Sequence, residues 1–209
     1  MSKLEIGLFG GTFDPPHLGH LILASEAVHQ FKLSKVIWVL TPDPPHKRNG
    51  ALTPVEHRLA MILRTLADNP VFEISRLELD RPGPHFTYDT CRLYMEQHPS
   101  AEITLMVGGD SLLDLPDWHK GADIVSLVHR IGVMRRPGNM HDLSRLEHKL
   151  PGLSRKVIFL DTLLQAVSSR EIRHRVAEGL PFRYYLLPSV YEYIETQGLY
   201  RAGSDADLS

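Results

Sequence analysis

The 209-residue sequence has one cysteine, Cys91, so no internal disulfide can form, and nothing around it reads as a redox motif. A surplus of charge of one sign is lacking too. With His neutral, 23 Lys and Arg against 25 Asp and Glu leave a formal net charge of −2. This argues against binding driven by a general polyanion field, though not against a local anion pocket. With neither a basic excess nor a recognition signature, a nucleic-acid module is the weakest functional reading. No apolar run is long enough to span a bilayer, and the segment around Glu5 lacks the pattern of a signal peptide. The expected setting is therefore a reducing cytoplasm without a membrane partner.

What is present is an ordinary globular composition, 43% hydrophobic and 23% charged, with a length suited to one domain. The 12 histidines say little by number alone. Short apolar runs at Leu4–Phe9, Val36–Leu40, Ile103–Val107, Ile131–Met134 and Val157–Leu160 read as strands buried on both faces. Helical spacing of apolar residues marks Leu18–Phe31 and Val55–Ala67 between them, and Phe72–Leu79 alternates as an edge strand or extended loop. The pattern predicts a single α/β domain over residues 1–200, with a frayed polar tail at 201–209. Its sheet is Rossmann-like, doubly wound and mostly parallel, with helices on both faces. In such a sheet ligands bind beyond the carboxyl ends of the strands. The proline-rich loops Pro42–Asn49 and Arg81–His85 are candidates for that edge.

The strongest local signal is GGTFDPPHLGH, Gly10–His20, between the first strand and first helix. Gly10 and Gly11 allow close backbone approach to a ligand, and Pro15 and Pro16 stiffen the turn. His17 and His20, three residues apart, share a face of the opening helical turn, where free N–H groups and the helix dipole favour an anion. Two satisfied surface histidines are the plainer alternative. A zinc site lacks a third ligand, and the pattern has neither the P-loop lysine nor the dinucleotide glycine spacing. A second segment, VSSREIR (Val167–Arg173), precedes a helical pattern. Ser168 with Glu171 fits a capping box, while Arg173 offers a forked guanidinium near the same helix start. In VGGDSLLDLPDW (Val107–Trp118), Asp110 follows a buried strand and suits ribose hydroxyls. Trp118 offers a flat stacking face or, with about even odds, a core side chain. In FTYDT (Phe86–Thr90), Asp89 or Thr90 is a candidate helix cap.

Taken together, GxFDPxHxGH, PPHK (Pro44–Lys47), FTYDT, GxDxLxxLPxW and VSSREIR resemble the bacterial nicotinate-nucleotide adenylyltransferases, members of the (H/T)xGH nucleotidyltransferases. The resemblance runs from Gly7 to Tyr200. It implies ATP contacts from Gly10, Gly11, Thr12, Phe13, His17, His20, Gly108, Ser168, Ser169 and Arg173. It implies pyridine-nucleotide contacts from His46, Lys47, Thr87, Asp110, Trp118 and Arg136. His17, His20, Lys47 and Arg173 are the implied catalytic set. Four positions depart from the family pattern: Phe86 and His119 stand where tyrosine is common, Val167 replaces isoleucine and Arg170 replaces threonine.

The implied reaction is in-line attack of the nicotinate mononucleotide phosphate on the α-phosphorus of ATP. It gives nicotinate adenine dinucleotide and pyrophosphate without a covalent enzyme intermediate. Mg²⁺ is expected with the triphosphate rather than in a protein cage. The small-molecule partners are ATP and nicotinate mononucleotide, and a homo-oligomer stays open. Adenylylation of phosphopantetheine and a nucleotide-binding regulator without turnover are the competing readings. YYLLP (Tyr184–Pro188) and the helix at Val190–Thr196 are expected to pack against the sheet.

Overall fold

The computed structural model describes residues 4–43, 52–134, 143–162 and 167–201. Six strands form one parallel sheet: β1 (Leu4–Gly11), β2 (Lys35–Leu40), β3 (Phe72–Ser75), β4 (Ala101–Gly108), β5 (Arg130–Met134) and β6 (Val157–Leu160). Their spatial order is β3-β2-β1-β4-β5-β6. The chain leaves β1 to one side, returns, and continues on the other, so order reverses between β1 and β4. That reversal is the crevice at which open α/β sheets bind nucleotides. Phe72–Leu79 resolves into the short edge strand β3, which ends at Ser75.

Alternation along the buried strands builds two cores. Ile6, Leu8, Ile37, Val39, Ile103, Leu105 and Val107 face one side. That side is covered by helices α3 (Thr87–Gln97), α4 (Gly109–Asp114) and α5 (Gly121–Leu127), through Cys91, Tyr94, Leu112, Ile124 and Val125. Short helices α6 (Leu143–Lys149) and α7 (Leu153–Lys156) add Leu146 and Leu153. Phe9, Val36, Trp38, Leu40 and Met106 face the other side, against α1 (Leu18–Phe31) and α2 (Val55–Leu66). Gly132 leaves room there: a Cβ would lie 2.5 Å from the Phe31 ring.

The C-terminal segment departs from expectation. Helices α8 (Ser169–Ala177) and α9 (Pro188–Gln197) build a third cluster of Ile172, Val176, Phe182, Leu186, Val190 and Ile194. Met61 on α2 belongs to this cluster, and His57 and Arg64 of the same helix contact Tyr193, so this segment packs on a helix rather than on the sheet. The result is a layer outside the sheet sandwich, carrying Val167–Arg173 against the loop that leads into α1.

Candidate active site

A cavity of about 220 Å³ opens at the carboxyl ends of β1 and β4, at the order reversal. Its lining includes Gly10, Gly11 and Thr12 after β1, Gly108 after β4, and Phe86, Thr87, Trp118 and His119. Sequence segments up to about a hundred residues apart thus converge where the topology places a ligand. Among the described residues Gly10 and Gly108 face open space, for a Cβ at either would meet none of their atoms within 4 Å. Gly11 has a different reason to be glycine. A Cβ there would lie 3.0 Å from the Phe13 ring, so Gly11 serves packing within the loop.

Phe13 adopts φ 47°, left-handed backbone that costs a non-glycine residue about 1–2 kcal/mol. Burial of its ring against Phe9 (5.4 Å) and Trp38 (4.9 Å) offsets that cost. The same cluster walls His20, whose ring centre lies 5.1 Å from Phe13 and 5.8 Å from Phe9. On its other side His20 stacks on His17, with centroids 3.7 Å apart and planes 24° from parallel. His17 is the N-cap of α1, and its backbone N–H donates to Nδ1 of His20 at 3.1 Å. The shared-face reading therefore holds, and the contact is closer than spacing alone conveys.

Burial pushes the His17 imidazole down to about 4, so it is neutral at physiological pH. Among the described residues its buried Nδ1 has no hydrogen-bond partner. An orphaned buried nitrogen costs free energy unless a ligand or water completes it, and such atoms cluster at working sites.

The carboxylate of Asp14, just before Pro15, is fully buried yet satisfied. Its Oδ1 accepts from the Tyr200 hydroxyl at 2.7 Å and its Oδ2 from the Thr53 N–H at 3.3 Å. The C-terminal layer grips the same loop by its backbone. Arg173 Nη1 donates to the carbonyl of Asp14 at 2.6 Å, and the Ser169 hydroxyl to that of Pro15 at 2.8 Å. The two ends of the chain thus meet on one loop. Ser168 caps α8, its hydroxyl accepting from the N–H of Glu171 at 3.2 Å; this is the N-cap half of the capping-box reading, while the Glu171 carboxylate accepts from Arg175 at 2.9 Å.

Sequence reasoning missed Arg58. Only 2% exposed, it donates to four backbone carbonyls: Thr53 (2.8 Å), Thr12 (3.2 Å), Thr41 (2.8 Å) and Pro42 (2.7 Å). Burial lowers its pKa, and the nearby Asp14 carboxylate opposes that shift. This guanidinium ties the loops after β1 and β2 to the start of α2. Tyr200 and Asp14 were also missed as a pair. So was a buried polar wall of the cavity in which the Thr90 hydroxyl donates to Glu78 Oε1 at 2.6 Å, beside His85.

At the other end of the cavity, Trp118 is half-buried, packed against the first core and among the residues that line the cavity. Thr87 opens α3; Asp89 and Thr90 lie inside that helix's first turn rather than capping it, since Phe86 is the N-cap. Asp110 is an exposed residue in the first turn of α4, outside the cavity lining. His46, Lys47 and Arg136 lie outside the described residues. Of the other predicted positions, Gly10, Gly11, Thr12, Gly108, Thr87 and Trp118 line the cavity. His17, His20, Ser169 and Arg173 gather on the adjoining loop, as the bonds above show.

Comparison with known proteins agrees with this geometry. Residues 8–175 match the cytidylyltransferase-like family model. A Thermomicrobium roseum protein described as a probable nicotinate-nucleotide adenylyltransferase is 42% identical over 201 residues, 96% of this chain and 92% of that one. A Geobacillus thermodenitrificans protein of the same description is 41% identical over 95% of this chain and 87% of its own length. Among solved structures, the Plasmodium falciparum nicotinic acid mononucleotide adenylyltransferase complexed with NaAD superposes with a TM-score of 0.78. At 21% identity, over 94% of this chain and 97% of that one, it supports the fold alone. With the family model matched over most of the chain and relatives of this identity over nearly their whole length, the chain belongs to the nicotinate-nucleotide adenylyltransferase family of cytidylyltransferase-like proteins.

Proposed function

We propose that the protein transfers the adenylyl group of ATP to nicotinate mononucleotide in the cytoplasm, releasing pyrophosphate and nicotinate adenine dinucleotide. The observation that carries this reading is the meeting of His17, His20, Ser169 and Arg173 around one loop at the mouth of a cavity that holds Thr87 and Trp118 at its other end. One end suits a polyphosphate and the other a flat ring with a polar substituent.

No covalent nucleophile is required. The mononucleotide phosphate attacks the α-phosphorus in line, and catalysis consists of alignment and neutralisation of charge on departing pyrophosphate. His17, His20, Arg173 and Lys47 carry that charge stabilisation; Ser168 and Ser169 hold the start of α8 against the loop. His17 is neutral before substrate arrives, and an arriving anion favours its protonation. Gly10, Gly11, Thr12, Phe13 and Gly108 form the floor along which ATP lies. Thr87 and Trp118 receive the pyridine, Asp110 a ribose, and His46, Lys47 and Arg136 the mononucleotide phosphate.

Both oxygens of Asp14, the buried carboxylate of the phosphate loop, are already engaged. This donor set fits a Mg²⁺ held by phosphate oxygens and water rather than by a protein cage. When bound, the ion supplies further neutralisation of the triphosphate.

A donor set suited to a carboxylate favours the acid over the amide, because bonds to an ionised acceptor are stronger. The test is incubation with ATP, Mg²⁺ and either nicotinate or nicotinamide mononucleotide, with products identified by mass and kcat/KM measured for each. The acid should be the better substrate. Equal values defeat the preference, and absence of any dinucleotide defeats the reaction.

A further inference from the structure

Two segments flank the pyridine end of the cavity, and they touch through their side chains. Phe86, the N-cap of α3, stacks on His119 with ring centroids 4.2 Å apart and planes 23° from parallel. Tyr88 stands two residues after Phe86 and Lys120 one after His119, and Lys120 Nζ lies 4.4 Å from the centre of the Tyr88 ring. Lys120 holds φ 55°, a conformation uncommon for a side-chain-bearing residue, where it turns the chain into α5. The backbone around it is a tight turn, with the Gly121 N–H donating to the carbonyl of Trp118 at 3.0 Å.

These contacts bracket the groups assigned to the ring. Thr87 follows Phe86 and Trp118 precedes His119, and all four line the cavity. A stacked pair that bridges two segments fixes their separation, as an offset aromatic contact has a narrow preferred geometry. His119 is exposed, so its ring adds little to the buried core and its contact with Phe86 is its main structural tie.

Resting on the function proposed above, we infer that Phe86 and His119 form a clasp that sets the width of the pyridine subsite. They are positioning residues for Thr87 and Trp118, and act on recognition of the mononucleotide rather than on ATP. The outer Lys120–Tyr88 contact keeps the turn seated.

The test is titration calorimetry with nicotinate mononucleotide and, separately, ATP, alongside steady-state kinetics. His119→Ala should weaken mononucleotide binding on the order of fivefold, the scale of one aromatic pair, and raise its KM likewise. ATP affinity and kcat should move less than about twofold. His119→Phe, which restores a ring, should recover the wild-type value. Phe86→Leu should add no further loss in the His119→Ala background, since both remove one contact. Unchanged mononucleotide affinity in His119→Ala overturns the clasp, as does an equal loss for both substrates. A wild-type protein that binds the mononucleotide but forms no dinucleotide defeats the proposed reaction while the clasp stands. No mononucleotide binding by wild type defeats both.

Discussion

The two ends of the cavity are built by different means. At the phosphate end, the loop bearing His17 and His20 is braced by Arg58, Tyr200, Thr53, Ser169 and Arg173, through bonds to carbonyls or to a buried carboxylate. At the pyridine end, contact between the flanking segments comes from half-exposed rings and one ammonium over a ring. The first arrangement has directional bonds in a dry setting and little freedom to adjust. The second has short-range ring contacts at the surface, which tolerate exchange of one ring for another. Charge neutralisation in a transition state needs fixed dipoles, whereas recognition of a planar ring needs area and spacing.

The contrast breaks most visibly at Arg58. Arg58→Met keeps the stem but leaves four carbonyls without their donor, for an expected loss of about 4 kcal/mol. Urea unfolding measures it; a loss below about 1 kcal/mol would mean the phosphate end is no more firmly braced than the other.

A smaller effect follows from His17. In the unfolded chain its imidazole titrates at the ordinary value of 6.5, and in the folded protein at about 4. Between those values the unfolded state binds more protons, so the neutral buried ring favours folding fully above pH 6.5. That contribution fades as pH falls through 4, by at most about 3 kcal/mol. Wild type should therefore lose stability over pH 6.5 to 4 more steeply than His17→Gln. Parallel profiles in the two proteins would show that His17 is not held in a dry environment.

The smallest effect separates binding from packing at Gly10. Because a Cβ there meets nothing within 4 Å among the described residues, Gly10→Ala should leave stability within about 0.5 kcal/mol of wild type. It should still weaken ATP binding about tenfold by filling ligand space. Unaltered ATP affinity, measured by calorimetry, would place the nucleotide elsewhere.

How much of this is legible in the sequence depends on what holds each part. Buried parallel strands read as unbroken apolar runs, and α1 shows its periodicity, so the sheet and the position of Gly10–His20 can be read directly. The His17–His20 pair follows from helical spacing. Arg58 cannot be read that way. It sits among apolar residues in α2 like any solvated charge, and its partners are backbone carbonyls, which have no residue identity. The Asp14–Tyr200 bond joins positions 186 residues apart, with nothing local to announce either. The Phe86–His119 stack joins two aperiodic segments, and the packing of α9 on α2 joins Met61, His57 and Arg64 to residues 125 or more positions away.

The hydroxyl of Tyr200 on the carboxylate of Asp14 has a bearing on synthesis. A chain made from its N-terminus can assemble β1 and α1 early, yet the loop between them stays without that partner until Tyr200 itself has been translated. A ribosome-stalled fragment that stops short of Tyr200 would hold both motif histidines on an unlatched turn.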